Sequence, residues 1–147
     1  MKNTVSRIYR FLTQDDLRLL EEMSLRVTYE PDEVILREGS QKQCLYILRS
    51  GSARVEKDHR GESITVDRLS PGEFIGVMSF LDDSPMSATI AAAEKVEIDY
   101  LDGLTLHALL SSVPGFSSRF YMSLAVIMAE RLREMMERVM PPFNKPS

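Results

Sequence analysis

The sequence predicts a mainly β fold with flanking α-helices: an eight-stranded antiparallel β-barrel of the double-stranded jelly-roll type, with N-terminal helices and a long C-terminal helix. Two observations predict it. Between residues 25 and 101, short apolar stretches of period two are separated by Gly, Pro or polar turns roughly every 8–12 residues. Before and after this region, apolar residues recur every three or four positions, as on one face of an α-helix.

The chain has 147 residues, a length typical of one domain. We therefore predict a single domain over 1–140 and a short tail over 141–147. Within the domain the pattern predicts N-terminal helices in 1–24, the β-barrel in 25–101 and C-terminal helices in 103–140.

Two helix boundaries have clear signals. Thr13 followed by Asp16 resembles a capping box at the start of a helix. The last helix is expected from about Ser117 to Met140, because the Pro-Pro pair that follows cannot continue it.

The composition is that of an ordinary globular protein, with 44% apolar and 27% charged residues and a net charge of -4. No apolar run is long enough for a membrane span, and the N-terminus lacks the apolar core of a secretory signal. Cys44 is the sole cysteine, which fits a reducing compartment, so we expect a soluble, cytoplasmic protein. His59 and His107 lie far apart in the chain, and no metal site is expected.

The charge is unevenly distributed. Residues 13–118 carry 10 basic and 19 acidic side chains, a local net charge of -9, whereas both ends of the chain are basic. An acidic body repels the phosphate backbone of nucleic acids. Only Pro-Pro-Phe-Asn-Lys-Pro-Ser follows the last helix, which is too short for a helix-turn-helix, so direct DNA binding is not expected.

Three stretches carry a resemblance to a known family. In chain order they are Gly39-x5-Leu45-Tyr46-Ile47-Leu48-x2-Gly51, Leu69-Ser-Pro71-Gly72-Glu73-Phe74-Ile75-Gly76 and Pro85-Met86-Ser87-Ala88-Thr89-Ile90-x-Ala92. Together with the flanking helices they resemble the cyclic nucleotide-binding domain family, which includes the sensor half of bacterial catabolite-activator-type regulators. The resemblance spans about residues 10–140.

The resemblance implies a phosphate-binding cassette after the sheet glycine, in which a Glu contacts the ribose and an Arg contacts the cyclic phosphate. In this chain the Glu position is Val77 and the Arg position is Met86. The candidate pocket residues carried over from the family are Phe74, Ile75, Gly76, Val77, Met78, Ser79, Met86, Ser87, Ala88 and Thr89.

The cassette segment also lacks positive charge, because no Lys, Arg or His occurs between Arg68 and Lys95. Losing two hydrogen bonds to charged groups would cost roughly 3–6 kcal/mol, or about 10²- to 10⁴-fold in affinity. Binding of cyclic AMP or cyclic GMP by the usual mode is therefore disfavoured, and we expect no cofactor. The apolar side chains either fill the former pocket as core, which we favour, or line a pocket for a different ligand.

The long C-terminal helix carries an apolar stripe with a mean spacing of 3.6 residues. Its members are Tyr121, Leu124, Met128, Leu132, Met135 and Val139. The stripe either packs only on its own barrel or forms a homodimer seam, as the resembled family builds from the same helix. We favour the homodimer, because about 36 Å of helix is more than a small barrel needs as a cover.

These observations predict a non-catalytic regulatory or interaction module. We expect it to form a homodimer through its C-terminal helix and to act on an unidentified protein partner. No nucleophile elbow, phosphate loop or zinc-type spacing occurs, so we do not expect an enzyme. The alternative is a small-molecule sensor that binds a cyclic nucleotide weakly, or a different ligand in the same pocket, and signals through its C-terminal helix.

Overall fold

The computed structural model describes residues 10–139. Its helices, in chain order, are α1 (Gln14–Met23), α2 (Val77–Asp82), α3 (Gly103–Ser112) and α4 (Phe116–Val139). Its strands are β1 (Leu25–Tyr29), β2 (Val34–Leu36), β3 (Cys44–Ser50), β4 (Ala53–His59), β5 (Glu62–Leu69), β6 (Phe74–Ile75), β7 (Thr89–Ala92) and β8 (Val96–Asp102). The predicted order of helix, strands and helices is confirmed.

The eight strands form two four-stranded antiparallel sheets. One sheet has the strand order β1-β8-β3-β6 and the other β2-β7-β4-β5. Within residues 10–139 no strand pairing joins the two sheets, so the predicted closed barrel is wrong. Side-chain alternation reports which face of a strand is buried and carries no information on whether the last strand pairs with the first. The jelly-roll arrangement stays a prediction.

The helix α1 begins at the predicted capping box. The Asp16 backbone N–H donates to the Thr13 hydroxyl oxygen at 3.0 Å, and the Thr13 backbone N–H donates to the Asp16 carboxylate at 2.9 Å. These two bonds satisfy donors that would otherwise be unpaired at a helix start. The last helix runs over Phe116–Val139, one residue earlier than predicted at its start, and Met140 lies outside the described residues.

Two hydrophobic clusters form the core. The first packs the helices against one sheet, and includes Leu45, Leu101, Leu106, Phe116, Phe120 and Leu124. The second lies among the strands, and includes Leu48, Ile75, Ile90, Val96 and Ile98. Burial of this apolar surface is the main driving force of the fold, and it places β6 and the start of α2 where the two clusters meet.

Candidate ligand-binding site

The site begins where β6 ends. Gly76 follows this strand with a φ of +90°, and a Cβ atom there would lie 3.1 Å from the Cys44 carbonyl oxygen. Glycine suits this position because it adopts positive φ at no steric cost and permits the close approach. The chain then turns into the short helix α2 and returns through a loop to β7.

A cavity of about 810 Å³ lies between this segment, the sheet that contains β4, β5 and β7, and the C-terminal half of α4. All predicted pocket residues except Thr89 line it. A cavity lies beside Gly76, Val77 and Met86, although Val77 and Met86 are themselves buried in the core clusters. The side chains of the cassette form an apolar lining around this space, and whether a ligand occupies it stays a prediction.

The residues at the family's Glu and Arg positions are both buried. Val77 is 2% exposed and packs into the core with Phe80, whereas Met86 is 9% exposed. The Ser79 hydroxyl donates to the Met86 sulfur at 3.3 Å. The cassette therefore places an aliphatic side chain, Val77, and a thioether, Met86, where the family pattern has a carboxylate and a guanidinium.

Main-chain hydrogen bonds hold the loop before β7. The Met86 backbone N–H donates to the Ser40 carbonyl oxygen, and the Met86 carbonyl oxygen accepts from the Gly39 N–H, both at 2.8 Å. The Thr89 hydroxyl, outside the cavity lining, accepts from the Glu38 backbone N–H at 2.9 Å. Partners within the chain thus fix this loop on both sides of Ser87 and Ala88.

The cavity lining includes three basic residues that were not predicted as site residues: Lys57, Arg131 and Arg138. The missed apolar lining comes from the neighbouring strands, namely Val55, Val66, Leu69 and Ile90. All three cations lie outside the segment between Arg68 and Lys95, on β4 and α4. The alternation of Val55 and Lys57 along β4 was the available signal, because both residues lie on one face of a strand that pairs with β7.

Each of these three cations is bound by groups of the protein. The Lys57 ammonium donates to the Ser87 carbonyl oxygen at 2.7 Å and to the Glu38 carboxylate at 3.0 Å. This hydrogen bond from Lys57 is the main reason why the pKa of Glu38 lies below its usual value. Lys57 therefore connects the cassette loop to the segment after β2, and its charge is paired with that of Glu38.

The two arginines attach α4 to the strands. The Arg131 guanidinium donates to the Phe74 carbonyl oxygen at 2.9 Å and lies 3.7 Å from the Glu73 carboxylate. Farther along the helix, Arg138 donates to the Val66 carbonyl oxygen at 3.2 Å and lies 3.6 Å from the Asp67 carboxylate. These contacts hold the C-terminal half of α4 over the cavity.

The predicted apolar stripe of α4 divides between two environments. Leu124 is fully buried in its own chain, so it cannot contact a partner, and the partly buried Met128 packs against the same core. The other four members of the stripe are exposed. Three of them border the cavity, namely Leu132, Met135 and Val139, whereas Tyr121 does not line it. Helical periodicity alone could not separate these members, because it identifies an apolar face without its neighbour.

A second line of residues on α4 is largely exposed, and it shares Leu132 and Val139 with the predicted stripe. Its spacing alternates between three and four residues, which is the 3.5-residue period of a coiled-coil seam. We call it the outer seam, and its members are Met122, Ala125, Ala129, Leu132, Met136 and Val139. All are exposed except Ala129, which is intermediate.

The remaining candidate residues carry no visible chemistry. Cys44 is buried, and burial raises the pKa of its thiol. His107 stacks on Phe80 with ring centroids 5.2 Å apart, and His59 is exposed at the β4–β5 turn. Between residues 10 and 139, no three His, Cys, Asp or Glu side chains are arranged to hold a metal. No helix in that range combines the length and hydrophobicity needed to cross a bilayer.

The architecture is that of a β-domain with two antiparallel sheets, a cavity beside the glycine-led helix α2, and a long C-terminal helix that borders the cavity. The family model described as the cyclic nucleotide-binding domain matches residues 26–112, more than half of the chain. The chain therefore belongs to the cyclic nucleotide-binding domain family, and the resemblance predicted from its motifs is confirmed.

Individual relatives agree with this assignment. The chain is 32% identical to the cyclic AMP receptor protein of Thermus thermophilus over 130 residues, which cover 88% of this chain and 58% of that protein. The structure of the Thermus thermophilus catabolite activator protein superimposes with a TM-score of 0.76 at 30% identity, covering 90% of this chain and 61% of that one. The chain thus spans less than two thirds of these relatives.

A second solved structure matches over almost the whole chain. The cyclic nucleotide-binding domain from Methylobacillus flagellatus superimposes with a TM-score of 0.85, covering 97% of this chain and 84% of that chain. Its sequence is 22% identical, so this likeness shows the shared fold alone.

Proposed function

We propose that this chain is a non-catalytic regulatory domain whose pocket does not recognise cyclic AMP or cyclic GMP by the usual cassette contacts. One observation carries the proposal. Val77 and Met86 occupy the positions of the family's Glu and Arg, and both are buried side chains that line the cavity. A cyclic phosphate placed there would lose its charged partner and still need to leave water, which is costly for an anion.

The open cavity favours one form of this proposal, a small-molecule sensor that signals through α4. Met128, Leu132 and Met135 of this helix line the same cavity as the cassette. A ligand in the cavity would therefore contact both the cassette and the helix. It would favour the position of α4 in which these contacts are made over positions in which they are lost. The form that acts through a protein partner alone leaves this cavity without a role.

Several broader features belong to the same proposal. We infer a single domain over 1–140 with a jelly-roll strand arrangement, located in the cytoplasm, without an enzymatic activity, a bound metal or a cofactor. We also infer that this chain does not itself contact DNA.

Titration calorimetry with cyclic AMP and cyclic GMP tests the cassette proposal. We expect no binding in the micromolar range by the wild-type chain, and micromolar or tighter affinity would contradict the proposal. The double variant Val77→Glu with Met86→Arg is the positive control, and we expect it to gain affinity for cyclic AMP. Because Val77 is buried, its thermal unfolding is measured alongside, and Met86→Arg alone serves as a milder second variant.

The gain-of-binding variants also test the placement of the cassette. If the folded double variant and Met86→Arg both fail to bind cyclic nucleotides, residues 77 and 86 do not correspond to the family's Glu and Arg. That outcome removes the observation on which the proposal rests.

We also propose a homodimer through the outer seam. Side chains of period 3.5 along about 26 Å of exposed helix form the repeating surface that two helices need to pack side by side. Ala125 and Ala129 would allow the two helices to approach closely at one end, while Leu132, Met136 and Val139 would supply apolar area at the other.

Sedimentation at several concentrations tests the dimer, with an expected mass of twice 16.7 kDa. Leu132→Asp should shift the chain to monomer, because a carboxylate at the centre of the seam would be desolvated without a partner. Leu104→Asp is the matched control, since Leu104 is 87% exposed on α3 and lies outside the seam. A wild-type monomer at high concentration would overturn the proposal.

A further inference from the structure

We propose that the ligand of the cavity is a neutral, predominantly apolar molecule. This inference rests on the proposed function, since it assigns the chemical class of the ligand at the same site. It follows from three features of the cavity: the apolar side chains of its wall, the pairing of the cations at its edge with carboxylates, and the hydrogen bond made by its buried hydroxyl.

The wall is rich in flexible apolar side chains. Four methionines line it, Met78 and Met86 from the cassette and Met128 and Met135 from α4. Methionine has an unbranched, polarizable side chain that adapts to irregular ligand shapes and makes favourable contacts with aromatic rings. The aliphatic side chains of β4, β5 and β7 complete the wall, so a ligand meets apolar surface on opposite sides.

Each of the three cations at the cavity is already paired with a carboxylate of the protein. Lys57 is bound to the Glu38 carboxylate, Arg131 lies beside the Glu73 carboxylate, and Arg138 lies beside the Asp67 carboxylate. Each cation also donates to a backbone carbonyl oxygen. An anionic ligand would have to displace one of these internal partners and leave a carboxylate with less compensation, which opposes its binding.

Two serines line the cavity, and of these Ser87 is exposed whereas the hydroxyl of the buried Ser79 is already engaged. Ser79 is 4% exposed and donates its hydroxyl hydrogen to the Met86 sulfur. A ligand with many polar groups would lose hydrogen bonds to water and find few groups in the wall to replace them. A volume of about 810 Å³ lies within the range of roughly 300–1,000 Å³ typical of small-molecule pockets. The cavity therefore fits a molecule with an apolar body and no net charge.

Two fluorescent probes with the same ring skeleton test this inference on the full chain. N-phenyl-1-naphthylamine is neutral, and 8-anilinonaphthalene-1-sulfonate is the same aromatic amine with an added sulfonate. We expect the neutral probe to bind at one site per chain, with a dissociation constant at least about tenfold below that of the sulfonate. Tighter binding of the sulfonate would overturn the inference, because it would show that a cation of the cavity is available to anions.

Substitutions locate the binding site of the neutral probe. Met86→Arg puts a charge into the wall and should raise the dissociation constant of the neutral probe at least about tenfold. A second pair avoids a buried substitution: Val66→Lys and Ile64→Lys change two residues of β5 with similar exposure, 49% and 44%. Only Val66 lines the cavity, so only Val66→Lys should weaken binding, by about threefold or more.

The outcomes separate this inference from the proposed function. Absence of binding by the neutral probe, or equal weakening by Val66→Lys and Ile64→Lys, overturns the neutral-ligand inference, while a silent titration with cyclic nucleotides still supports the cassette proposal. Conversely, displacement of the neutral probe by micromolar cyclic AMP contradicts the cassette proposal, whatever the ratio of the two probes.

Discussion

The two halves of α4 belong to different environments. In the N-terminal half, Phe116, Phe120, Leu124 and Ile127 are each at most 1% exposed and pack into the core. In the C-terminal half the side chains are intermediate or exposed, up to 73% for Val139. The first half is bound to the domain by apolar packing. The second half is bound mainly by arginine contacts with strand carbonyl oxygens.

This difference indicates which part of the helix can respond to a ligand. Local opening is easiest where few apolar contacts are lost and most of the backbone is near water. The C-terminal half meets that condition and also borders the cavity, whereas the N-terminal half does not. We therefore expect a ligand to act on the C-terminal half while the N-terminal half remains in place, and four predictions test this contrast.

The largest effect is expected from Phe120→Ala in the N-terminal half. Phe120 is fully buried and its ring contacts the rings of Phe80 and Phe116. Removing it should lower the free energy of unfolding by about 3–5 kcal/mol, because a cavity is left in the core. Chemical denaturation measures this change. Tyr121→Ala, at an exposed neighbouring position, should cost about 1 kcal/mol or less, and equal losses would contradict the contrast.

The second prediction concerns the ion pair that joins the N-terminal half to α1. Arg119 donates to both carboxylate oxygens of the buried Asp16, at 2.6 and 2.8 Å. Arg119→Met should lower the free energy of unfolding by about 2–3 kcal/mol near neutral pH, because Asp16 loses a charged hydrogen-bond partner. Arg133→Met, an exposed arginine on the same helix, is the control and should have little effect.

The same pair predicts a pH dependence. The hydrogen bond from Arg119 is the main cause that lowers the pKa of Asp16 below its ordinary value of 3.8, against the opposing effect of burial. The stability from this pair is therefore present above pH 3.8 and is lost as the pH falls through the lowered pKa. The difference in stability between wild type and Arg119→Met should shrink in that acidic range. A constant difference would contradict this account.

The third prediction addresses the C-terminal half. Arg131→Met removes the hydrogen bond to the Phe74 carbonyl oxygen and the contact with Glu73. We expect a loss of about 1 kcal/mol in global stability and a severalfold faster amide hydrogen exchange confined to the C-terminal half of α4. Faster exchange throughout the helix would show that the two halves open together.

The smallest effect is expected from Arg138→Met. Arg138 is half exposed and contacts Val66 and Asp67 at the end of the helix. Exposed pairs of this kind contribute about 0–1 kcal/mol, so the stability change should be near the limit of detection. The effect should appear as faster amide exchange in the last turn alone, and should be smaller than that of Arg131→Met in the same measurement.

The sequence predicted the local features of the fold and not the relations between distant segments. Thr13 and Asp16 form the predicted capping box because both partners lie within one helical turn. The strands were predicted because side-chain alternation is a local property. Closure of the sheets was predicted wrongly, since it depends on pairing between strands far apart in the chain.

The same distinction explains the candidate site. Most predicted pocket residues line the cavity because they belong to two nearby runs, 74–79 and 86–89, which their resemblance to a family identifies. Lys57 and Arg131 were missed because they reach the cavity from β4 and α4. The predicted homodimer stripe included Leu124, because a helical period does not show that one face already packs on the chain's own sheets. An open cavity could not be predicted, since its volume depends on how the two sheets and α4 are positioned.

The main-chain hydrogen bonds of Met86 have a consequence for how new specificities arise in this fold. Both its N–H and its carbonyl oxygen are paired with residues of the β2–β3 connection, so these two hydrogen bonds do not involve its side chain. A substitution that keeps the backbone conformation of residue 86 would keep this attachment of the loop. Position 86 is therefore a suitable starting point for changing the chemistry of the cavity wall in the laboratory.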